Sequence, residues 1–307
     1  MRSWSTKDLI ALKENIDKKL SHAAIGTILN KTHNSVEKTT QRYRLKDISL
    51  EEFKLKLERR DLKPELDKPE EYDTQKIYKR ILVFGDMQIP FHHPDSINFL
   101  ELVYKTYNPD LIVCVGDIVD QYAFSSFDKN PAVDNASREI DVAKKHLHKL
   151  TKFLKDVKIC KGNHDERLLK KAIKAGIPGS VFKPLNQIYD LPDTWNWNFE
   201  WTFNTVLSPV HFVHTYSGGM YGVKSIGMSV VQGHLHAEFK VIYAANPMKL
   251  YWDAWTGCLF DKDSHAAAYG QANSNKPILG CLMIINGKPI LVPMLLKKGG
   301  KWVGNID

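Results

Sequence analysis

Two different hydrophobic rhythms run along the chain. In residues 1–46 the inward-pointing side chains recur at helical spacing: Leu9, Leu12 and Ile16, then Ala24, Ile25, Ile28 and Leu29, then Val36, Thr40 and Tyr43. A capping residue precedes each stripe, namely Ser5 in Ser5-Thr6-Lys7-Asp8, then Ser21 and Thr32. The pattern predicts three short helices with a tight turn before the third, a tri-helical unit over residues 1–46. From Ser49 to Arg60 the chain is densely charged and reads as a further helix, and Pro64 and Pro69 follow among acids and lysines. Residues 47–76 are therefore expected to form a charged, partly helical linker.

After residue 77 the rhythm changes. Ile81-Leu82-Val83-Phe84, Leu111-Ile112-Val113-Cys114-Val115 and Val157-Lys158-Ile159-Cys160 are short apolar runs rich in β-branched residues, as in the buried strands of an α/β sheet. Trp195, Trp197, Phe199, Trp201 and Phe203 alternate with Asn196, Asn198, Glu200 and Thr202. That alternation predicts one strand whose aromatic face packs in the core or at an edge, or stacks on unpaired bases. Phe239 to Ala244, Pro247 to Trp255, Gly280 to Ile285 and Pro289 to Leu296 read as further strands around a polar loop from Asp261 to Pro277.

Five polar segments follow such runs in order: Gly85-Asp86-Met87-Gln88, Gly116-Asp117-Ile118-Val119-Asp120, Gly162-Asn163-His164-Asp165, Val213-His214 and Gly233-His234-Leu235-His236. Asp, Asn and His beside small glycines are the inventory for holding two divalent metal ions. The carboxyl ends of parallel strands open on one crevice, so groups following different strands can converge there. A paired metal site of this composition points to phosphoester hydrolysis.

In the order and spacing of these segments, residues 80–240 resemble the calcineurin-like metallophosphoesterases, phage-encoded members above all. The resemblance implies an α/β fold, the four-layer αββα sandwich, over residues 77–307, with the late strands finishing the second sheet. It implies that Asp117 bridges both ions, that Asp86, Gln88 and His236 complete the first metal site, and that Asn163, His214 and His234 complete the second. It also implies that His164 contacts the phosphoryl group and protonates the leaving oxygen, with Asp120 supporting it. Where this chain has Gln88 the family usually has His. A neutral amide oxygen is a harder and weaker donor than imidazole, so the first site is expected to bind less tightly and to favour Mn²⁺ or Mg²⁺ over Zn²⁺, Ni²⁺ or Fe ions. His92, in Ile89-Pro90-Phe91-His92-His93-Pro94, and Arg167 are candidate substrate contacts. The alternative for His92 is a loop residue beside a turn-forming proline.

At 307 residues the chain exceeds the usual single domain, and its 25% of charged residues is that of an ordinary globular protein rather than a disordered one. Cys114, Cys160, Cys258 and Cys281 lie far apart in mainly apolar runs and read as reduced core residues of a cytosolic protein. Met1-Arg2-Ser3-Trp4-Ser5 lacks an apolar signal core and no long apolar run occurs. The expectation is therefore a cytoplasmic protein with no membrane partner, in the host cytoplasm if phage-encoded.

Charge is placed unevenly. Of the net +8, residues 1–46 carry +6, ten Lys or Arg against four Asp or Glu. A compact basic segment points to phosphate neutralisation on a nucleic acid, the alternative being a solvated face. The tri-helical unit resembles Myb/SANT-like helix-turn-helix modules, in its early Trp4 and in the Thr32-His33-Asn34-Ser35-Val36 start of the third helix. Opposite its apolar side that helix presents Asn34, Lys38, Gln41 and Arg42: amides read adenine, Arg reads guanine, and Lys neutralises phosphate. DNA is the expected partner, and a nicking endonuclease or DNA phosphodiesterase the expected activity. The alternatives are a phosphomonoesterase with an adaptor module and a DNA-binding regulator with a degenerate site.

Overall fold

The computed structural model describes residues 4–54, 76–125, 135–216, 226–264 and 276–306. The chain divides into two compact units, Met1–Lys68 and Pro69–Asp307.

In the first unit, α1 (Thr6–Asp17) opens on a capping box: the Ser5 hydroxyl accepts from Asp8 N and the Asp8 carboxylate accepts from Ser5 N. Ser21 caps α2 (His22–Leu29), which Asn30 ends in the left-handed region, and Thr32 caps α3 (His33–Arg42). Leu9, Leu12, Ile25, Val36, Leu45 and Phe53 form the core, each fully buried. Two details differ from the sequence pattern. Ile28 is exposed instead of inward, because the short α2 turns only Ile25 and Gly26 fully into the core. Phe53, within the stretch read as linker, packs edge-on against Tyr43 on a helical turn over 50–54 that Ser49 caps. The rest of that stretch, 55–75, lies outside the described residues.

The second unit is built on two six-stranded sheets. In the first, β2 (Arg80–Phe84), β3 (Leu111–Cys114), β4 (Val157–Cys160) and β5 (Trp195–Asn198) run parallel, and the hairpin β11 (Gly280–Ile285) and β12 (Lys288–Pro293) adds antiparallel to β2. The second has the order β1 (Ile77–Tyr78), β6 (Glu200–Thr205), β7 (Pro209–Val213), β8 (Ser229–Gln232), β10 (Lys249–Thr256), β9 (Phe239–Asn246). Period-two alternation sorts the buried side chains of the first sheet. Ile81, Val83, Leu282 and Ile284 face the second sheet, where they meet Trp201, Phe212 and Val231. Leu82, Phe84, Cys281 and Met283 face α4 (Ser96–Tyr107), α5 (Ala136–Leu150) and α7 (Leu185–Tyr189), meeting Phe99, Leu147 and Ile188. The two sheets thus pack face to face, with these helices on the other face of the first. All four cysteines are buried and free. No helix among the described residues is long and apolar enough to cross a membrane.

The aromatic alternation belongs to two strands, not one. The chain leaves the first sheet after Asn198 and enters the second at Glu200, so Trp195 and Trp197 pack toward the helices and Trp201 and Phe203 between the sheets. The carboxy-terminal strands, in turn, do not all finish the second sheet. β9 and β10 do, whereas the fully apolar Cys281-Leu282-Met283-Ile284 run has two buried faces to fill, which it finds beside β2.

Candidate active site

The parallel strands β2, β3 and β4 end on one edge, and the polar segments begin there. Pairing continues past the strand ends: Asp86 N donates to Gly116 O, Gln88 N to Asp117 O and Ile89 N to Ile118 O, each at 2.9 Å. The turns are tight. Asp86, Gln88, Asp117, Gln121 and His234 all adopt φ between +50° and +68°, a region that non-glycine residues rarely occupy and that clusters at functional sites. The glycines are required by close approach: a Cβ on Gly162 would lie 2.0 Å from Asp117 Oδ1, and one on Gly233 2.4 Å from Asp86 Oδ2. These loops therefore press backbone directly against the carboxylates.

One group of donors centres on His214, which follows β7. Its Nδ1–H donates to Val115 O at 2.8 Å, which fixes the tautomer and turns Nε2 toward the crevice. Around Nε2 lie Asn163 Oδ1 at 3.0 Å, His234 Nδ1 at 3.2 Å and Asp117 Oδ2 at 3.2 Å. Ligand atoms of Asp117, His214 and His234 all fall within 4.8 Å of one another. The second group joins Asp86, whose Oδ1 is 3.2 Å from His236 Nε2, to Gln88, whose Nε2 lies 3.3 Å from the same nitrogen. Asp86 Oδ1 and Gln88 Oε1 are buried and make no hydrogen bond. A half-turn of the amide exchanges the two ends of Gln88, so it can offer oxygen to that space. Orphaned buried oxygens beside imidazole nitrogens are what a divalent cation satisfies, so both groups fit a metal ligand set.

The electrostatics agree with this. Burial opposes ionisation of Asp117, yet the facing His214 and His164 hold its carboxyl below the usual carboxylate range. Burial pushes His214 down, but Asp117 and Asp86 pull it up to about 10. His236 is raised in the same way by Asp86 against burial, while burial and the neighbouring His214 lower His234. A cation held here would displace the protons these pairs share.

Beside the donors sits a second constellation. His164 Nδ1 bonds the Asp120 carboxylate, and its backbone N–H donates to Asp117 Oδ1 at 2.8 Å. Arg167, the first residue of α6 (Arg167–Lys174), donates to Asp120 O and Oδ1, both at 2.9 Å, and its other amino group lies 3.0 Å from His164 Nε2. The His92 ring packs edge-on at 4.5 Å against His146 of α5. Asn34, Lys38, Gln41 and Arg42 belong to the first unit, all exposed along α3.

Sequence reasoning assigned no role to Asp165, Gln121 or Glu139. Asp165 is buried and accepts from Asp117 N and Gly162 N at 2.8 Å and from Val119 N at 3.2 Å, tying two donor loops together. Burial and the Asp117 charge push its carboxyl up to about 7, against the pull of those N–H donors. Gln121 Oε1 accepts from Leu168 N, and Glu139 accepts from Tyr122 N and Ala123 N, so both brace the Asp120 loop. For Asp165 the signal was its place in Gly-Asn-His-Asp; for Gln121 and Glu139 there was none.

Among solved structures, Vacuolar Protein Sorting 29 from Cryptosporidium parvum shares 14% identity, with 73% of this chain and 94% of that one covered, at a TM-score of 0.40. YfcE, a phosphoesterase from E. coli, shares 13%, covering 73% and 96%, at 0.39. A novel archaeal phosphodiesterase shares 13%, covering 69% and 99%, at 0.38. Likeness at that level says nothing of substrate. No curated protein matches the chain in sequence. Residues 79–245 match the family model described as calcineurin-like phosphoesterase. That match spans more than half of the chain, and the protein belongs to the calcineurin-like phosphoesterases, metal-dependent hydrolases.

Proposed function

We propose that the chain is a two-metal phosphodiesterase that nicks DNA, with the helices of residues 1–46 acting as a helix-turn-helix module on the duplex. The chemistry rests on one observation, the meeting of Asp117, His214 and His234 ligand atoms beside the His164–Asp120–Arg167 cluster. Asp86, Gln88, Asp117 and His236 would hold one ion, and Asp117, Asn163, His214 and His234 the other. Such ions supply Lewis acidity at the phosphoryl oxygens and offset the charge that develops there.

The chain's own side chains handle binding and the proton. Asp120 holds His164 by Nδ1, so Nε2 is the atom that faces substrate. Arg167 places a guanidinium beside that nitrogen, where phosphate oxygens would accept its N–H groups in place of Nε2. Drawing Arg167 onto the phosphate releases Nε2 to carry the proton that the leaving oxygen needs.

The DNA reading is supported by α3. Its Val36, Thr39 and Thr40 are buried, and Asn34, Lys38, Gln41 and Arg42 form the opposite, exposed face. Together with the +6 charge of residues 1–46, this face has the donors and cations for a major groove. A single catalytic centre cuts one strand per encounter. Incubation with supercoiled plasmid and Mn²⁺ should therefore yield nicked circles, and bis-p-nitrophenyl phosphate should be hydrolysed. Turnover of p-nitrophenyl phosphate alone would move the function to a phosphomonoesterase.

A further inference from the structure

Of the five aromatic residues that alternate between 195 and 203, four are packed and one is not. Trp195, Trp197, Trp201 and Phe203 join the two cores, while Phe199, at the crossing between the sheets, is 57% exposed. Two hydrogen bonds hold the backbone at this crossing. Phe199 N donates to Asn198 Oδ1 at 2.8 Å, and Asn198 O accepts from Lys161 N at 2.7 Å. Lys161 Nζ lies 5.0 Å from the centroid of the Phe199 ring, a cation–π contact.

The pair stands at the rim of the site. Strands β2 to β5 are parallel neighbours, so Phe199, just past β5, lies on the same edge as the segments that begin at Gly85, Gly116 and Lys161. Adjacent strands are about 4.8 Å apart. Asn163 and His164 follow Lys161 by two and three residues, and two residues of chain span at most about 7 Å. An exposed ring beside a cation, on the edge where a phosphoester site opens, has the chemistry of a nucleotide subsite.

We propose that Phe199 and Lys161 bind an unpaired base flanking the scissile phosphate, the base stacking on the Phe199 ring and Lys161 meeting the neighbouring backbone phosphate. The proposal rests on the DNA reading above. Every base offers a π-face, so this subsite favours strand state over sequence. A base stacked on Phe199 has left the helical stack, at a cost that is smallest where the strand is already frayed or single. Intact duplex should thus be a poorer substrate than a nicked, frayed or single-stranded one.

The test uses the full chain with Mn²⁺ and a single-stranded oligonucleotide that carries 2-aminopurine. Wild-type protein should quench the probe and Phe199→Trp should do the same. Phe199→Ala should abolish quenching and lower kcat/KM roughly tenfold, within the range of base–aromatic stacking. An oligonucleotide abasic at the flanking position should slow the wild type by a similar factor, and the two losses should not add. Equal quenching and equal kcat/KM for wild type and Phe199→Ala would overturn the subsite and leave the nuclease reading standing. A wild-type chain that neither binds nor cuts the oligonucleotide would overturn both.

Discussion

Removing the Asp165 carboxylate should loosen the donor loops without touching a ligand. Its two oxygens accept from three buried backbone N–H groups, of Asp117, Gly162 and Val119. In Asp165→Ala these donors lose their partner, and a buried N–H left without an acceptor costs about 1–3 kcal/mol. Three of them amount to about 3–6 kcal/mol, allowing for relaxation, a large part of the roughly 5–15 kcal/mol typical of a domain. Asp165→Asn keeps one oxygen and faces at least one N–H with an amide NH₂, so its loss should be nearer 1–3 kcal/mol. Because Asp117 and Gly162 are held by the same oxygen, metal affinity should fall about 10–100-fold even where the variant stays folded. Urea unfolding and calorimetric titration with Mn²⁺ give the two numbers. Asp165→Ala with wild-type stability and wild-type affinity would refute the claim that this carboxylate fixes the loops.

Three further outcomes follow from other parts of the structure. Burial, then His146, holds the His92 imidazole down at about 3, below its unfolded value, so as pH falls below about 6.5 the unfolded chain takes a proton that the native state refuses. Stability should drop with acid by at most about 1.4 kcal/mol per pH unit from this group, and urea midpoints between pH 7 and 4 should fall less steeply in His92→Phe; equal slopes would contradict it. Gln88→His should tighten the first metal group and widen its tolerance to Zn²⁺ and Ni²⁺, read by calorimetry, whereas unchanged binding would mean that position 88 does not face an ion. On DNA, Arg42→Ala or Asn34→Ala should cost about 1–3 kcal/mol at one base pair only, while Lys38→Ala should weaken all sequences alike and reduce the salt slope by about one, as binding titrations would show.

The site was far more legible in the sequence than the layers around it. Asp86, Asp117, Asn163, His214, His234 and His236 each follow a strand in a short polar segment, and the glycines beside them mark where backbone must approach a carboxylate. Helix caps were equally local, and Ser5, Ser21 and Thr32 open the helices their spacing predicted. What failed was long-range. Aromatic alternation from Trp195 to Phe203 keeps its parity through the crossing at Phe199, so period two alone could not report the change of sheet. The apolar run at Cys281 to Ile284 could have joined either sheet, and only pairing with β2 decides it. Glu139 is 17 residues from the N–H it braces on the Asp120 loop, with no pattern connecting them.

Hydrolysis of bis-p-nitrophenyl phosphate at saturating Mn²⁺ by wild type and by Asp117→Asn tests the central claim most directly. Asp117 faces His214 and His164 and is the proposed bridge between the two ions, so losing its charge should weaken both sites and abolish turnover while the fold of residues 4–54 is unaffected. Wild-type turnover by Asp117→Asn under saturating metal would contradict the two-metal account.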